Sequence, residues 1–261
     1  MSPTGTDSSA GSLAIHRYAT RREMGAAAAA HAAGVIRRLA EEHPVVPVIF
    51  ATGASQLDTL RALVALTGIP WDRVVGFHMD EYVGISSGHP ASFRRYMHDE
   101  LAGKVPMREF HNVEGDAADP EQECERYARL LRRYSPLLCL AGIGENGHLA
   151  FNDPPVADFS DPRDAKVVTL DRECREQQVA EGWFPTIDAV PTRAITLTIP
   201  TLFRVPELIL SVPGERKAAI VARTLREEIS TKCPATILRT HPNAHLYLDG
   251  ESAQLVALPS K

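Results

Sequence analysis

The chain has 261 residues, 44% of them apolar and 23% charged, and a formal net charge of −5. That length and balance suit a soluble α/β protein with a large core. They argue against a general nucleic-acid binder, which carries a basic face. The alanine-rich stretch from Ala26 to Ala33 is interrupted by His31 and followed by Arg37, Arg38, Glu41 and Glu42. It therefore reads as a helix of high intrinsic propensity and not as a membrane span. Cys124, Cys139, Cys174 and Cys233 form no C-x-x-C pair and no metal-ligand spacing, which suggests reduced thiols and a cytoplasmic setting.

In chain order, the Ser-, Gly- and Thr-rich start reads as a disordered tail over residues 1–20, leaving one domain from 21 to 261. Helical periodicity runs from about Arg22 to His43, where Pro44 and Pro47 end it. Val45 to Ala51 is an apolar, β-branched strand. It delivers Thr52-Gly53-Ala54-Ser55 to the start of a helix over Gln56 to Leu63. Strand, small polar loop and helix can seat an anion on backbone N–H groups, although Ser55 could equally serve as a plain helix cap. A second strand, Arg73 to Met79, ends in Asp80-Glu81-Tyr82. Adjacent side chains on an extended chain point opposite ways, so at most one of the two carboxylates is expected to face a ligand.

A loop with His89 precedes a helix over Ala91 to Leu101, and residues 119–134 form a charged amphipathic helix. Leu137 to Ala141 is a buried strand that runs into Gly142-Ile143-Gly144-Glu145-Asn146-Gly147-His148-Leu149-Ala150-Phe151-Asn152-Asp153-Pro154-Pro155. The glycines permit a sharp turn and close approach of the backbone, and the segment holds an imidazole, a carboxamide and a carboxylate. The spacing Gly142, Gly144, Gly147 matches G-x-G-x-x-G, but no helix can start at the third glycine with Pro154-Pro155 so near. The dinucleotide reading therefore fails. Further strands are expected at Val167 to Leu170, Ala194 to Ile199, Glu207 to Val212 and His245 to Asp249, with helices at Arg172 to Glu181 and from Pro213 to Glu227. Lys217 sits near a helix start, where the macrodipole favours anions, so either solvent or a bound phosphate would accommodate it. Alternating strands and helices predict a three-layer α/β fold, a mostly parallel, Rossmann-like sheet covered on both faces.

Taken in order, Thr52-Gly53-Ala54-Ser55, Met79-Asp80-Glu81-Tyr82-Val83-Gly84, His89-Pro90-Ala91-Ser92-Phe93, Gly142 to Pro154, Pro213 to Ala218 and His241-Pro242 resemble the glucosamine-6-phosphate deaminase / 6-phosphogluconolactonase family. Tyr82 and the run Gly147-His148-Leu149-Ala150-Phe151-Asn152 fall on the deaminase side; lactonases usually carry Asp-Glu-Arg and Asp-Gly-His-Thr-Ala-Ser there. The resemblance implies an isomerase-type deaminase that turns a hexosamine 6-phosphate into a ketose 6-phosphate and ammonia without a metal or organic cofactor. Asp80 would be the base that moves a proton from C2 to C1, and His148 would open the ring, oriented by Asp153, with Asn146 beside it. Thr52, Gly53, Ala54, Ser55 and Lys217 would hold the phosphate, with Arg175, or less favourably Arg172, as the arginine. Glu81, Gly144 and Gly147 complete the expected substrate contacts. Several family members carry aspartate where this chain has Asn146, and the family usually has glutamate where it has Asp153. Alternatives are a phosphogluconolactonase and a non-catalytic sugar-phosphate sensor. The implied partner is a small phosphorylated amino sugar, with no nucleic acid or membrane, and self-association left open.

Overall fold

The structure, a computed structural model, describes residues 5–256. Its main sheet has the order β1-β2-β11-β10-β7-β3-β4-β6, built from Thr6–Ala10 (β1), Leu13–Arg17 (β2), Val46–Phe50 (β3), Val74–His78 (β4), Glu109–His111 (β6), Leu138–Ala141 (β7), Glu207–Val212 (β10) and Ala244–Leu248 (β11). All pairings except β1–β2 are parallel. A second, antiparallel sheet joins Asp80–Tyr82 (β5), Arg193–Leu197 (β9) and Ala165–Thr169 (β8) in the order β5-β9-β8.

Side-chain alternation divides the core between the two faces of the main sheet. Val46, Val48 and Phe50 pack with Arg21–Glu42 (α1), Leu57–Ala65 (α2) and Phe93–Met97 (α3), whereas Ile49, Val75 and Phe77 face Tyr127 and Leu131 of Pro120–Tyr134 (α4). Ile220 and Val221 of Ala218–Arg226 (α7) join that second face. The expected three layers are present. Gly25 lets α1 lie close to α2: a Cβ there would come within 2.7 Å of the Asp58 Cβ. Thr20 caps α1 reciprocally with Glu23, whose carboxylate accepts the Thr20 N–H at 3.0 Å.

Two expectations are corrected. Residues 6–17 are a hairpin on the sheet edge and not part of a disordered tail; Leu13 and Ile15 are buried, and Gly11 turns the chain at φ 61°. The polar composition around them hid a short alternating Leu-x-Ile pattern. The expected helix over Ala91 to Leu101 is shorter, beginning at Phe93 and loosening into a π-turn at His98–Ala102.

Because the sheet is parallel, the loops after β3, β4, β7 and β10 gather along one edge, where an open α/β fold presents its ligand site. β7 lies between β3 and β10, so the Gly142 segment emerges between the Thr52 and Pro213 loops.

Candidate active site

That edge holds a cavity open to solvent, about 80 Å³ in volume. Thr52 to Gln56, Asp80, Gly144, His148 and Lys217 line it, so four separate strand ends contribute to one site. Gly53 adopts φ 93°, a backbone that L side chains rarely take, and the chain then makes one 3-10 turn, Ala54–Gln56, before α2. The loop after β10 repeats the device: Gly214 at φ 92°, a 3-10 turn over Glu215–Lys217, then α7. The carboxylate of Asp249, just past β11, accepts the Gly214 N–H at 3.0 Å and fixes that turn. N-terminal amides of both helices lack intrahelical partners and carry the positive end of the dipole. Lys217 is 5% exposed; burial pulls its ammonium below the usual lysine range, opposed by Glu181 and Glu145.

Asp80 stands where the chain leaves β4 and crosses to the second sheet. It is buried, and its Oδ1 has no hydrogen-bond partner among the described residues. Burial pushes its carboxyl well above the ordinary range, with the Glu81 charge adding to the effect. Glu81 points the other way. Its carboxylate accepts from Ser92 Oγ at 2.7 Å and from the N–H groups of Phe93 and Arg94, capping α3 from outside. The substrate contact expected of Glu81 is therefore corrected to a structural one.

His148 lies over Gly144. A Cβ there would sit 2.1 Å from the imidazole Nε2, so only glycine admits the ring. His148 Nδ1 is 2.8 Å from Asp153 Oδ1, close enough for an ion pair although the ring N–H is not aligned along the contact as a hydrogen bond. Burial favours the neutral form of Asp153, but the contacts from His148 and Asn146 outweigh it and hold the carboxyl below the usual range. Asn146 is the hub. Its Nδ2 donates to Asp153 Oδ1 at 3.0 Å and to Asp171 Oδ2 at 3.2 Å, while its Oδ1 accepts the His148 backbone N–H at 3.0 Å. Asp171 in turn caps Arg172–Ala180 (α5) through the Cys174 N–H at 2.7 Å. An aspartate at 146 would meet two other carboxylates; the amide donates to both.

Two further expectations are corrected. Arg175 does not line the cavity: its Nη2 donates to the carbonyls of Ile187 at 2.6 Å and Val190 at 3.2 Å, which pins the turn after α5. Arg172 is exposed and pairs with Glu176. Gly147 also stays outside the cavity; at φ 91° it passes close to Cys233, where a Cβ would come within 2.9 Å of Sγ. Sequence reasoning missed the contribution of α5 and the residue after it, Gln177, Gln178 and Glu181. Gln178 Oε1 accepts from the buried Tyr82 hydroxyl at 2.7 Å, and Glu181 is held by Gln177 and the Trp183 indole N–H. The signal available was a helix whose polar residues recur at i and i+4, Gln177 and Glu181, directly after the central segment.

A buried carboxyl with a raised pKa, an imidazole–carboxylate pair and two helix N-termini around one cavity are the parts that acid–base chemistry on a small anion would use. The family model for glucosamine-6-phosphate isomerases/6-phosphogluconolactonase matches residues 19–247. A glucosamine-6-phosphate deaminase of a Geobacillus species is 35% identical over 231 residues, 86% of this chain and 90% of that relative. One from an Exiguobacterium species is 39% identical over 70% of each chain. Among solved structures, one described as a monomeric glucosamine-6-phosphate deaminase superposes with a TM-score of 0.84 at 31% identity, covering 92% of this chain and 99% of that one. A 6-phosphogluconolactonase from Thermotoga maritima reaches 0.74 at 18% identity over 91% and 99%, a likeness of fold. The chain belongs to the glucosamine-6-phosphate isomerase/6-phosphogluconolactonase family.

Proposed function

We propose that the chain is a glucosamine-6-phosphate deaminase, converting glucosamine 6-phosphate and water to fructose 6-phosphate and ammonia. One observation carries the reading: Asp80 and His148 line the same cavity as the Thr52–Ser55 turn and Lys217. The phosphate rests on the amides and hydroxyls of the turn, with Lys217 supplying the positive charge. His148, steadied by Asp153, carries a proton between the ring oxygen and the C1 hydroxyl, which opens the ring. Asp80, ionised when the substrate is bound, removes the proton from C2 and returns it to C1. A second proton passes from the C2 ammonium to the C1 oxygen, so the product is a protonated ketose imine, and water adds across its C=N bond to expel ammonia. Water is consumed overall, which makes the reaction formally a hydrolysis coupled to an isomerisation. No step needs a metal or an organic cofactor.

Curated relatives with that activity and the deaminase-side residues Tyr82 and Phe151 support the deaminase over the lactonase. Tyr82 and Phe151 pack together, ring centroids 5.3 Å apart, in the small cluster behind Asp80. Buried, unpaired cysteines accord with a reducing cytoplasm, which we adopt as the setting. No helix among the described residues is long and apolar enough to cross a membrane. The test is ammonia release from glucosamine 6-phosphate alongside hydrolysis of 6-phosphogluconolactone. Turnover of the amino sugar at least about 10²-fold above that of the lactone, a gap of ~2.7 kcal/mol in barrier, is expected. Turnover of the lactone alone identifies a lactonase, and saturable binding of the sugar phosphate without turnover identifies a sensor.

A further inference from the structure

At the opposite ends of the strands, away from the cavity, a second cluster of titratable groups plays no part in this chemistry. His31 comes from α1, Glu207 opens β10, and His245 is the second residue of β11. A nitrogen or carboxylate oxygen from each lies within 4.8 Å of the other two. We propose that His31, Glu207 and His245 form a binding site for one divalent transition-metal ion of the zinc class.

Two imidazoles and one carboxylate are a donor set suited to zinc. His31 Nε2 is 3.1 Å from Glu207 Oε1. That matches the edge of a tetrahedral zinc site, about 3.3 Å for bonds of ~2.0–2.1 Å. The far nitrogen of each histidine already has an oxygen partner of the kind that orients a ligating ring. The Tyr247 hydroxyl is 2.9 Å from His31 Nδ1, and Asn243 Oδ1 is 2.9 Å from His245 Nε2. That arrangement leaves His31 Nε2 and His245 Nδ1 to face the ion.

His245 Nδ1 is now 3.0 Å from His16 Nε2, whose other ring nitrogen is 2.8 Å from Asp7 Oδ1. His16 is thus placed to offer a fourth ligand or to hold a water in that position. Arg38 competes for the carboxylate, but it binds Oε2 of Glu207 at 2.8 Å and leaves Oε1 to His31 and the ion. The site would tie α1 to two central strands. Sequence spacing could not show it, because its ligands are scattered over 31, 207 and 245.

The test uses untagged protein, stripped by chelator, returned to chelator-free buffer and titrated with zinc chloride. Binding is read by equilibrium dialysis with metal analysis, and stability by melting temperature. His148, Asp153 and Cys174 also form a potential ligand group, so Cys174→Ser serves as the control that disables that cluster. We expect one zinc per chain in the wild type and in Cys174→Ser, with a dissociation constant of about 10⁻⁶ M or below. Both proteins should melt at a higher temperature with zinc. His31→Gln and His245→Gln, and the isosteric Glu207→Gln, should bind more than ~100-fold more weakly and lose the thermal shift, beyond the ~10–100-fold typical of an outer-shell loss. The proposal is overturned if the wild type takes up no stoichiometric zinc. Undiminished binding in the three variants, or loss of binding in Cys174→Ser instead, overturns it equally.

Discussion

Asp80 and Asp153 are both buried carboxylates of one site, Asp80 lining the cavity and Asp153 behind the His148 that lines it, yet their surroundings drive them in opposite directions. At the end of β4, burial without a donor to Oδ1 holds the Asp80 proton tightly, and the charge of Glu81 on the other side of the strand adds to the effect. In the loop after β7, Asp153 is met by the His148 ring and the Asn146 amide, and its proton is released early. Burial alone therefore assigns neither role. In the proposed reaction the carboxylate left without partners would serve as the base that takes a carbon-bound proton, and the partnered one as a fixed charge that orients an imidazole.

The sharpest way to break this contrast is Asp80→Asn, which keeps the shape and removes the base. Ammonia release should fall by about 10⁴-fold, the upper end for positioned proton transfer. A loss under tenfold would place the base elsewhere. Next comes Asp153→Asn, which keeps the volume but removes the charge beside His148. Activity should drop by ~10²-fold in kcat, at the lower end of the same range.

The two variants should also part company in stability. Asp80 has a raised folded pKa, so the stability it contributes is present below the unfolded value and lost as pH rises through the folded one. Asp153 has a lowered folded pKa, so its contribution is present above the unfolded value and lost as pH falls through the folded one. At neutral pH, Asp80→Asn should melt higher than the wild type and Asp153→Asn lower. Equal shifts of the same sign would dissolve the contrast. In the wild type, the acid limb of kcat/KM should fall above the ordinary carboxylate range, because Asp80 must be ionised to act.

Asn146→Asp would erase the difference from the other side, replacing a donor with a third carboxylate near Asp153 and Asp171. A cost of about 1–3 kcal/mol at neutral pH is expected from the lost hydrogen bonds, shrinking as acid protonates the cluster. Denaturant titration at two pH values measures it. The smallest effect belongs to Lys217→Ala. It should raise KM for the phosphorylated sugar by about tenfold, close to 1.4 kcal/mol, with kcat changed less. KM and kcat measured separately by steady-state ammonia release decide the point.

Much of this site was legible in the sequence because its parts sit at strand ends marked by composition. Apolar runs fixed β3, β4, β7 and β10, and the residues that followed them, Thr52–Ser55, Asp80, Gly144, His148 and Lys217, all reached the cavity. The alternation rule allowed at most one of Asp80 and Glu81 to face a ligand, although the family resemblance had still placed Glu81 among the substrate contacts. What failed depended on contacts between distant segments. Nothing local marks Arg175 as the clamp on the carbonyls of Ile187 and Val190 rather than a phosphate ligand. Nor could a list of residue types reveal that Asn146 lies between two aspartates and that its amide donates to both. The N-terminal hairpin was lost for a related reason: Leu13 and Ile15 earn their places only against β11.

The paired turns at Gly53 and Gly214 have a consequence for inheritance. In the proposed reaction the Gly53 turn would hold the phosphate partly on main-chain amides, which every residue but proline possesses, so many substitutions among its neighbours would leave that part of the seat in place. Only replacement of the two glycines, each at a φ near 92–93°, should abolish it in one step. If the proposed phosphate seat holds, it should tolerate wide side-chain change around that turn so long as the backbone geometry set by the glycine is kept.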